Sequence, residues 1–328
     1  MTPPAAAPAS LLRVAAALAY LDRLDTIDGW LAPDAALAMI ETLWLQERSG
    51  ITGDLAEIGV YRGKSFLALA AGAREQESLF AIDLFDTQDP AAARAGEDTS
   101  LYGSGNRAVF LANMERFFPG RAVRILETSS RELRGTATAA GLAGLRLLSI
   151  DGGHTREMTL NDLAIAAAVL GPDGVCFLDD PLNAHWTGVV SGLFAFLDTA
   201  PDLCPVAMFP NKLLLCRAAA AGFYRDGLRG LFAASLERKE IEFHHAGIDV
   251  YGAAWPQVSA NLRIPHLPLI AAAERAEAAR AAAEAAAGVA AARAERAEEA
   301  AAAYAASTCW RITAPLRALV RQIAPRRR

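Results

Sequence analysis

The stretch from Asp54 to Ser65, DLAEIGVYRGKS, limits what this chain can fold into more than any other. Leu55, Ala56, Ile58 and Val60 make a short apolar run interrupted by Glu57, the pattern of a buried strand. Gly59 and Gly63 bracket a tight turn where missing side chains let backbone approach a ligand closely. Lys64 and Ser65 then open the amphipathic run FLALAAGA. A strand that ends in a glycine turn before a helix is the nucleotide-binding corner of an α/β sheet. The G-x-x-x-G spacing matches neither the dinucleotide G-x-G-x-x-G nor a full phosphate loop, and a plain strand-to-helix corner gives the same pattern.

A chain of 328 residues holds one α/β domain with appendages or two small domains. Hydrophobic residues at 53% supply a real core, and a net charge of -5 gives no reason to expect nucleic-acid binding. Cys176, Cys204, Cys216 and Cys309 lack C-x-x-C spacing, and three lie in or beside apolar runs; reduced thiols are expected, with neither zinc nor disulfides favoured. The start, MTPPAAAPAS, has no basic region or long apolar core, and no apolar run reaches membrane-spanning length. A cytoplasmic protein is expected.

After a Pro/Ala leader, residues 11–49 carry helical spacing. Leu11, Val14, Leu18 and Leu21 share one face and Leu37, Ile40, Leu43 and Trp44 another, which predicts cap helices over a sheet that begins at Asp54. A second strand, residues 78–83, ends on Asp83, whose carboxylate could accept both hydroxyls of a ribose or serve as a solvated loop acid beside Asp86 and Asp89. The irregular stretch from Thr87 to Asn106 has the composition of a lid or substrate loop. A helix (107–118) and a strand (122–126) lead to the polar turn Glu127-Thr128-Ser129-Ser130, suited to a base edge or to a helix N-cap.

The next strand ends carry most of the chemistry. Residues 145–150 run into Asp151-Gly152-Gly153-His154, and residues 174–178 run into Asp179-Asp180, with one helix (155–170) between. Such strands are expected to lie parallel with their tips at one crevice, where three carboxylates and a histidine make a hard-oxygen site for Mg²⁺. A metal there would lower the pKa of a bound hydroxyl, and His154 could take its proton. The plainer alternatives are a packed helix-start histidine and acids that cap the following helix. Beyond them, Asn183, His185 and Trp186 occupy a loop able to contact a sugar ring, although Trp186 could equally pack the helix 189–197.

Glu57-Ile58-Gly59-Val60-Tyr61-Arg62-Gly63-Lys64-Ser65, Ile150-Asp151-Gly152-Gly153-His154 and Leu178-Asp179-Asp180-Pro181 together resemble class I S-adenosylmethionine-dependent methyltransferases, most of all the metal-dependent sugar O-methyltransferases of the macrocin and mycinamicin type. The resemblance covers about residues 50–217 and implies a Rossmann-like α/β sheet, mostly parallel with its last strand antiparallel, the final hairpin being residues 204–209 and 212–216 around Pro210-Asn211. It implies that Glu57, Gly59, Tyr61, Gly63 and Ser65 line the methionine end of S-adenosylmethionine, that Asp83 holds its ribose and that Thr128 lies at its base. By the same likeness Asp151, Asp179 and Asp180 ligate Mg²⁺ and His154 is the general base. The family usually follows the acidic pair with an aromatic residue, where this chain has Pro181.

The expected organisation is a leader with cap helices (1–49), a methyltransferase domain (50–217), an extension (218–268), a long Ala/Glu/Arg-rich helix (269–306) and a basic amphipathic tail (307–328). In the extension, Phe223, Leu228, Leu231 and Phe232 suggest a short helix, and His244-His245 read as surface or packing residues with metal binding second. The long helix has i,i+3 and i,i+4 charge pairs at Glu277, Arg280 and Glu284 but few bulky heptad residues, so an alanine seam for homo-oligomers and a spacer both fit. The tail sets Trp310, Thr313, Leu316, Val320 and Ile323 on one face with Arg311, Arg317, Arg321, Arg326, Arg327 and Arg328 nearby, a pattern for an anionic membrane surface or a docked partner. It also resembles C-terminal segments of bacterial glycosyltransferases and polysaccharide-modifying enzymes. The combined expectation is a Mg²⁺-dependent O-methyltransferase acting on a sugar in bacterial glycan assembly, cytoplasmic or peripheral at the inner face of the membrane. The alternatives are a phenolic or natural-product O-methyltransferase and a non-catalytic scaffold.

Overall fold

A computed structural model describes residues 11–86, 104–199, 201–253 and 255–323. The leader, most of the expected lid at 87–106 and the last arginines lie outside the described residues. The chain forms two compact units, residues 1–270 and 271–328.

In the first unit, helices α1 (Leu11–Asp22) and α2 (Pro33–Arg48) precede β1 (Leu55–Ile58), α3 (Phe66–Gly72), β2 (Leu79–Ile82), α4 (Asn106–Phe117), β3 (Arg124–Leu126), α5 (Ser130–Leu133), β4 (Leu145–Ile150), α6 (Arg156–Val169) and β5 (Leu170–Asp179). Then come α7 (Thr187–Leu197), β6 (Leu203–Phe209), β7 (Lys212–Arg217), α8 (Ala221–Leu231), β8 (Leu236–Phe243), β9 (Ala246–Tyr251) and α9 (Trp255–Ala306), which runs on into the second unit. The strands lie in the order β3-β2-β1-β4-β5-β7-β6-β9-β8. Strands β1 to β5 are parallel, β7 is antiparallel to both β5 and β6, and β9 continues parallel to β6. This is the expected mostly parallel sheet with an inserted antiparallel strand.

Alternation along each strand sends neighbouring side chains to opposite faces, and both faces are covered. Leu55, Leu147 and Phe177 pack with α1 to α4 and α8, through Tyr20, Leu43, Phe66, Phe110 and Leu228. Ala56, Leu148 and Cys176 pack with α5 to α7, through Leu133, Leu163 and Leu193. Trp44 is core, and Cys176, Cys204 and Cys216 are free thiols.

Two elements differ from the expectation. The helix expected to reach Leu170 ends at Val169, and β5 starts at Leu170, because Leu170 already pairs with Leu145 ahead of the Gly171–Gly174 irregularity. The extension after Arg217 contains the short helix expected there: α8 packs on the sheet, and the hairpin β8–β9 enlarges the sheet to nine strands among the described residues. β8 was hard to recognise because LERKEIEF is an edge strand whose charges face solvent, a device that blunts exposed edges.

The N-terminal end of the sheet is tied by Arg146, which is 1% exposed. Its guanidinium donates to both oxygens of Glu77 (2.7 and 2.6 Å), to Gln46 Oε1 and to the carbonyls of Leu43 and Gly72. This joins β4 to α2 and α3. Burial works against the Glu77 carboxylate, but hydrogen bonds from Arg146 and Arg74 hold its pKa below the ordinary 4.5.

In the second unit α9 is followed by α10 (Thr308–Ile312) and α11 (Ala314–Ile323). Residues 279–303 of α9 are solvent-exposed apart from Ala292, and Arg280 pairs with Glu284 at 2.9 Å. The side chain of Glu277 lies outside the described residues. Among the described residues, no helix is long and apolar enough to cross a membrane.

Arg146→Met strands Glu77 with only Arg74 and should lower unfolding free energy by about 3 kcal/mol in denaturant titration. Because the folded pKa of Glu77 is depressed, its contribution is present above pH 4.5 and lost as pH falls through the lower folded value. The wild type should therefore lose more stability in acid than Arg146→Met does.

Candidate active site

The carboxyl end of β1 is built around Glu57. Parallel register sets Glu57 beside Ser149 of β4, and Ser149 Oγ donates to Glu57 Oε1 at 2.8 Å; Ser65 Oγ, at the head of α3, donates to the same oxygen at 2.6 Å. Glu57 is fully buried, and its Oε2 has no hydrogen-bond partner. Burial pushes the carboxyl up to about 7, only partly opposed by the positive charge of Lys212. A buried, half-satisfied carboxylate at the mouth of a glycine turn is a ready acceptor for a ligand ammonium.

Gly59 and Gly63 have φ of +83° and +88°. A Cβ on Gly59 would lie 1.8 Å from the Asp151 carbonyl oxygen, and one on Gly63 would lie 2.6 Å from the Phe110 ring. Only glycine lets the turn sit against the tip of β4. Tyr61 also has positive φ (52°) and stacks on Trp30, with ring centroids 6.0 Å apart.

Asp83 braces this turn. Its Oδ2 accepts from the amides of Val60 (2.5 Å) and Tyr61 (2.7 Å), and Oδ1 from the amide of Phe85 (2.5 Å). Burial raises its pKa despite these amides. The ribose role expected of Asp83 would use what acceptor capacity Oδ1 retains. Thr128 is half-buried beyond β3, while its neighbour Ser129 is the N-cap of α5. The polar turn therefore acts at least as a cap.

At the tips of β4 and β5, Asp151, His154 and Asp180 bring ligand atoms within 4.8 Å of one another. His154 Nε2 is 3.3 Å from Asp180 Oδ2. Asp180 has φ of +56°, and its Oδ1 accepts from Asn183 Nδ2 (2.8 Å) and Asn211 Nδ2 (2.7 Å). Burial opposes its charge, yet hydrogen bonds from His154, Asn183 and Asn211 hold its carboxyl below the usual range. Burial raises Asp151 to about 6, and the nearby Glu57 and Asp180 add to the rise while Lys212 opposes it. The indole of Trp186 stacks on the His154 imidazole with centroids 4.3 Å apart and planes 18° from parallel. Trp186 also packs on the core below α7, the packing role expected of it.

Asp179, expected beside the other two acids as a ligand, has another partner. Antiparallel register places it directly opposite Lys212 of β7, whose Nζ lies 3.1 Å from Asp179 Oδ1. Lys212 is completely buried, and Asp179, Asp151 and Glu57 hold its pKa above the ordinary lysine value against the cost of burial. Burial and the neighbouring acids push Asp179 well up. Sequence reading missed Lys212 because it opens an apolar strand, where a lone basic residue resembles a solvated end. The signal was present: Lys212 follows the hairpin turn that must return beside the Asp179-Asp180 strand end. Asn211, with φ of 63° in the same turn, was missed likewise.

Four acids, Glu57, Asp151, Asp179 and Asp180, thus surround one fixed ammonium and one imidazole. Burial, with the neighbouring acids adding to it, raises the carboxyls of Asp151 and Asp179, and Asp151 with Asp180 supplies the hard oxygen donors a magnesium ion prefers. The residues fit a divalent cation. The unpaired Glu57 oxygen and the two glycines that no Cβ could replace equally fit an amino-acid-bearing cofactor at β1.

A search of curated proteins found no match. Among solved structures, the O-methyltransferase NovP is 17% identical, with 56% of this chain and 78% of that one covered at a TM-score of 0.45. The calicheamicin methyltransferase CalS11 is 19% identical over 56% and 78% of the two chains, with a TM-score of 0.41. TomG of Streptomyces achromogenes, an O-methyltransferase of tomaymycin synthesis solved with its cofactor, is 13% identical over 62% and 87%, with a TM-score of 0.40. Residues 56–181, from β1 through the acidic pair, match the family profile described as a methyltransferase domain. That part of the chain, with its mostly parallel sheet, is therefore similar to methyltransferase domains.

Proposed function

We propose that the protein transfers a methyl group to a sugar hydroxyl, with Mg²⁺ held by Asp151 and Asp180, in bacterial glycan assembly. The observation that carries this reading is the convergence of Asp151, His154 and Asp180 beside the glycine turn of β1. The Gly59–Asp151 contact sets the cofactor corner and the acid cluster against each other, as a direct transfer between two bound reactants requires.

S-adenosylmethionine supplies an electrophilic methyl group on a sulfonium, already a good leaving group, so the protein's task is orientation and charge control. Glu57 Oε2 is placed to accept from the cofactor ammonium, and the turn at Gly59 and Gly63 admits its backbone-hugging end. Mg²⁺ at Asp151 and Asp180 would acidify an acceptor hydroxyl. His154 takes the hydroxyl proton, and Asp180 Oδ2 at 3.3 Å from Nε2 stabilises the imidazolium that results. The Trp186 indole fixes the imidazole plane and extends a flat apolar surface, the kind on which a pyranose face packs. Lys212, 3.1 Å from Asp179, offsets part of the negative charge that the acids would otherwise gather around a divalent ion.

The second unit supports a role in recruitment. Ile312, Leu316 and Leu319 are 71%, 66% and 56% exposed, with Arg311 and Arg317 in the same segment and the Arg317 guanidinium 3.5 Å over the Trp310 ring. We assign this face to an anionic membrane surface carrying the glycan precursor, and the alanine-rich α9 to self-association.

With labelled cofactor and bacterial glycan acceptors, His154→Ala should lower kcat by about a hundredfold or more while cofactor binding stays unchanged, and EDTA should remove activity that Mg²⁺ restores. Full turnover in either case would remove that group from the mechanism. In vesicle sedimentation the full chain should bind anionic but not neutral vesicles, and a chain truncated at Pro268 should bind neither; equal sedimentation of the two chains would refute the membrane role.

A further inference from the structure

The hairpin β8–β9 places two adjacent imidazoles against the end of α7. His244 and His245 form its two-residue turn, closed by the Phe243–Ala246 pair, and Asp198 is the C-cap of α7. The His244 ring is stacked on Phe194 of α7, with centroids 4.9 Å apart and planes 16° from parallel, and Phe194 also meets Phe243 edge-on at 5.6 Å. The His244 side chain is therefore held from both elements. Its Nε2 lies 3.1 Å from Asp198 Oδ1, and His245 Nε2 lies 3.8 Å from that same oxygen.

These contacts do not make an ordinary hydrogen-bonded pair. His244 Nε2 is buried and has no hydrogen-bond partner. Two imidazoles with centroids 3.9 Å apart repel if both are protonated to pair with one carboxylate. The three donor atoms nevertheless lie within 4.8 Å of one another. A tetrahedral zinc ion with bonds of about 2.0–2.1 Å sets its ligand atoms about 3.3 Å apart, near the 3.1 Å separation, and the 3.8 Å one closes to it by a small turn of the exposed His245 side chain.

We propose that Asp198, His244 and His245 form a second metal site, which takes a zinc-class divalent ion and clips the edge hairpin to α7. Two neutral imidazoles and one carboxylate suit zinc, nickel or copper(II), whereas magnesium prefers oxygen donors, so this site and the Asp151–Asp180 cluster differ in the ion they select. Asp198 and His245 are 64% and 78% exposed at their side chains, which gives the ion open access and leaves water to complete its shell. The fold has a use for such a clip. β9 pairs with β6 through only Ala207–Asp249 and Met208–Val250, and β8 is the charged outer edge. A metal at the hairpin tip would add an anchor at α7 to those that Arg229 makes with Asp249 and Glu240.

The test uses full-length protein stripped with chelator, then titrated with zinc chloride by calorimetry and melted with and without zinc, with excess magnesium chloride throughout. His245→Ala alters an exposed side chain, and Asp198→Asn keeps the shape of the third ligand. The wild type should bind one zinc equivalent more than either variant and gain several degrees in Tm that both variants lack, while Cys204→Ser should behave as wild type. Absence of zinc binding, binding that survives both substitutions, or loss only in Cys204→Ser would overturn the site.

Discussion

The approach of Gly59 to the carbonyl of Asp151 is the contact on which the rest depends. A single methyl group at Gly59 would sit 1.8 Å from that oxygen, so the turn after β1 and the tip of β4 occupy one space that only glycine leaves free. The amide of Asp151 donates to the carbonyl of Ile58, and the amide of Gly59 donates to that of Ile82, which continues the parallel pairing past the last strand residues. Asp83 then caps the turn with its carboxylate. The glycine turn after β1 and Asp151, which opens the acid cluster, are thereby one rigid piece, with their separation set by backbone and independent of side-chain rotamers.

Charge balance is the second constraint. A buried ammonium is costly unless paired, and Lys212 is tolerated because the β5–β7 register delivers Asp179 to it at 3.1 Å, with Glu57 and Asp151 close behind. The same ammonium reduces the repulsion among the acids. Asp180, outside its immediate reach, is held charged by two asparagines and His154. One cluster thus contains an acid paired for structure and an acid kept ionised at the mouth.

The parts of this arrangement legible in the sequence are those written locally. Gly59 and Gly63 announce a turn, and Asp151-x-x-His154 and Asp179-Asp180 lie at the ends of apolar runs, so their convergence followed from parallel neighbours joined by one helix. What escaped was written in register. Nothing near Lys212 shows that an antiparallel return sets it opposite Asp179, nor that Arg146, inside a strand, turns inward to Glu77 across 69 positions. The bracing role of Asp83 escaped as well, because the amides of Val60 and Tyr61 that it accepts from come from a turn more than 20 positions earlier. β8 escaped for a different reason, since a charged edge strand lacks the apolar alternation by which strands are recognised.

Calorimetric titration of S-adenosylmethionine and S-adenosylhomocysteine into the full chain, with Mg²⁺ and after EDTA treatment, tests the central claim most directly. With the cofactor assigned to the corner of Glu57, Gly59, Gly63 and Asp83, and no cation among its contacts, both ligands should bind at one per chain in either condition. Absence of binding in both would contradict the assignment of that corner and, with it, the reading of the acid cluster as a methyl-transfer site.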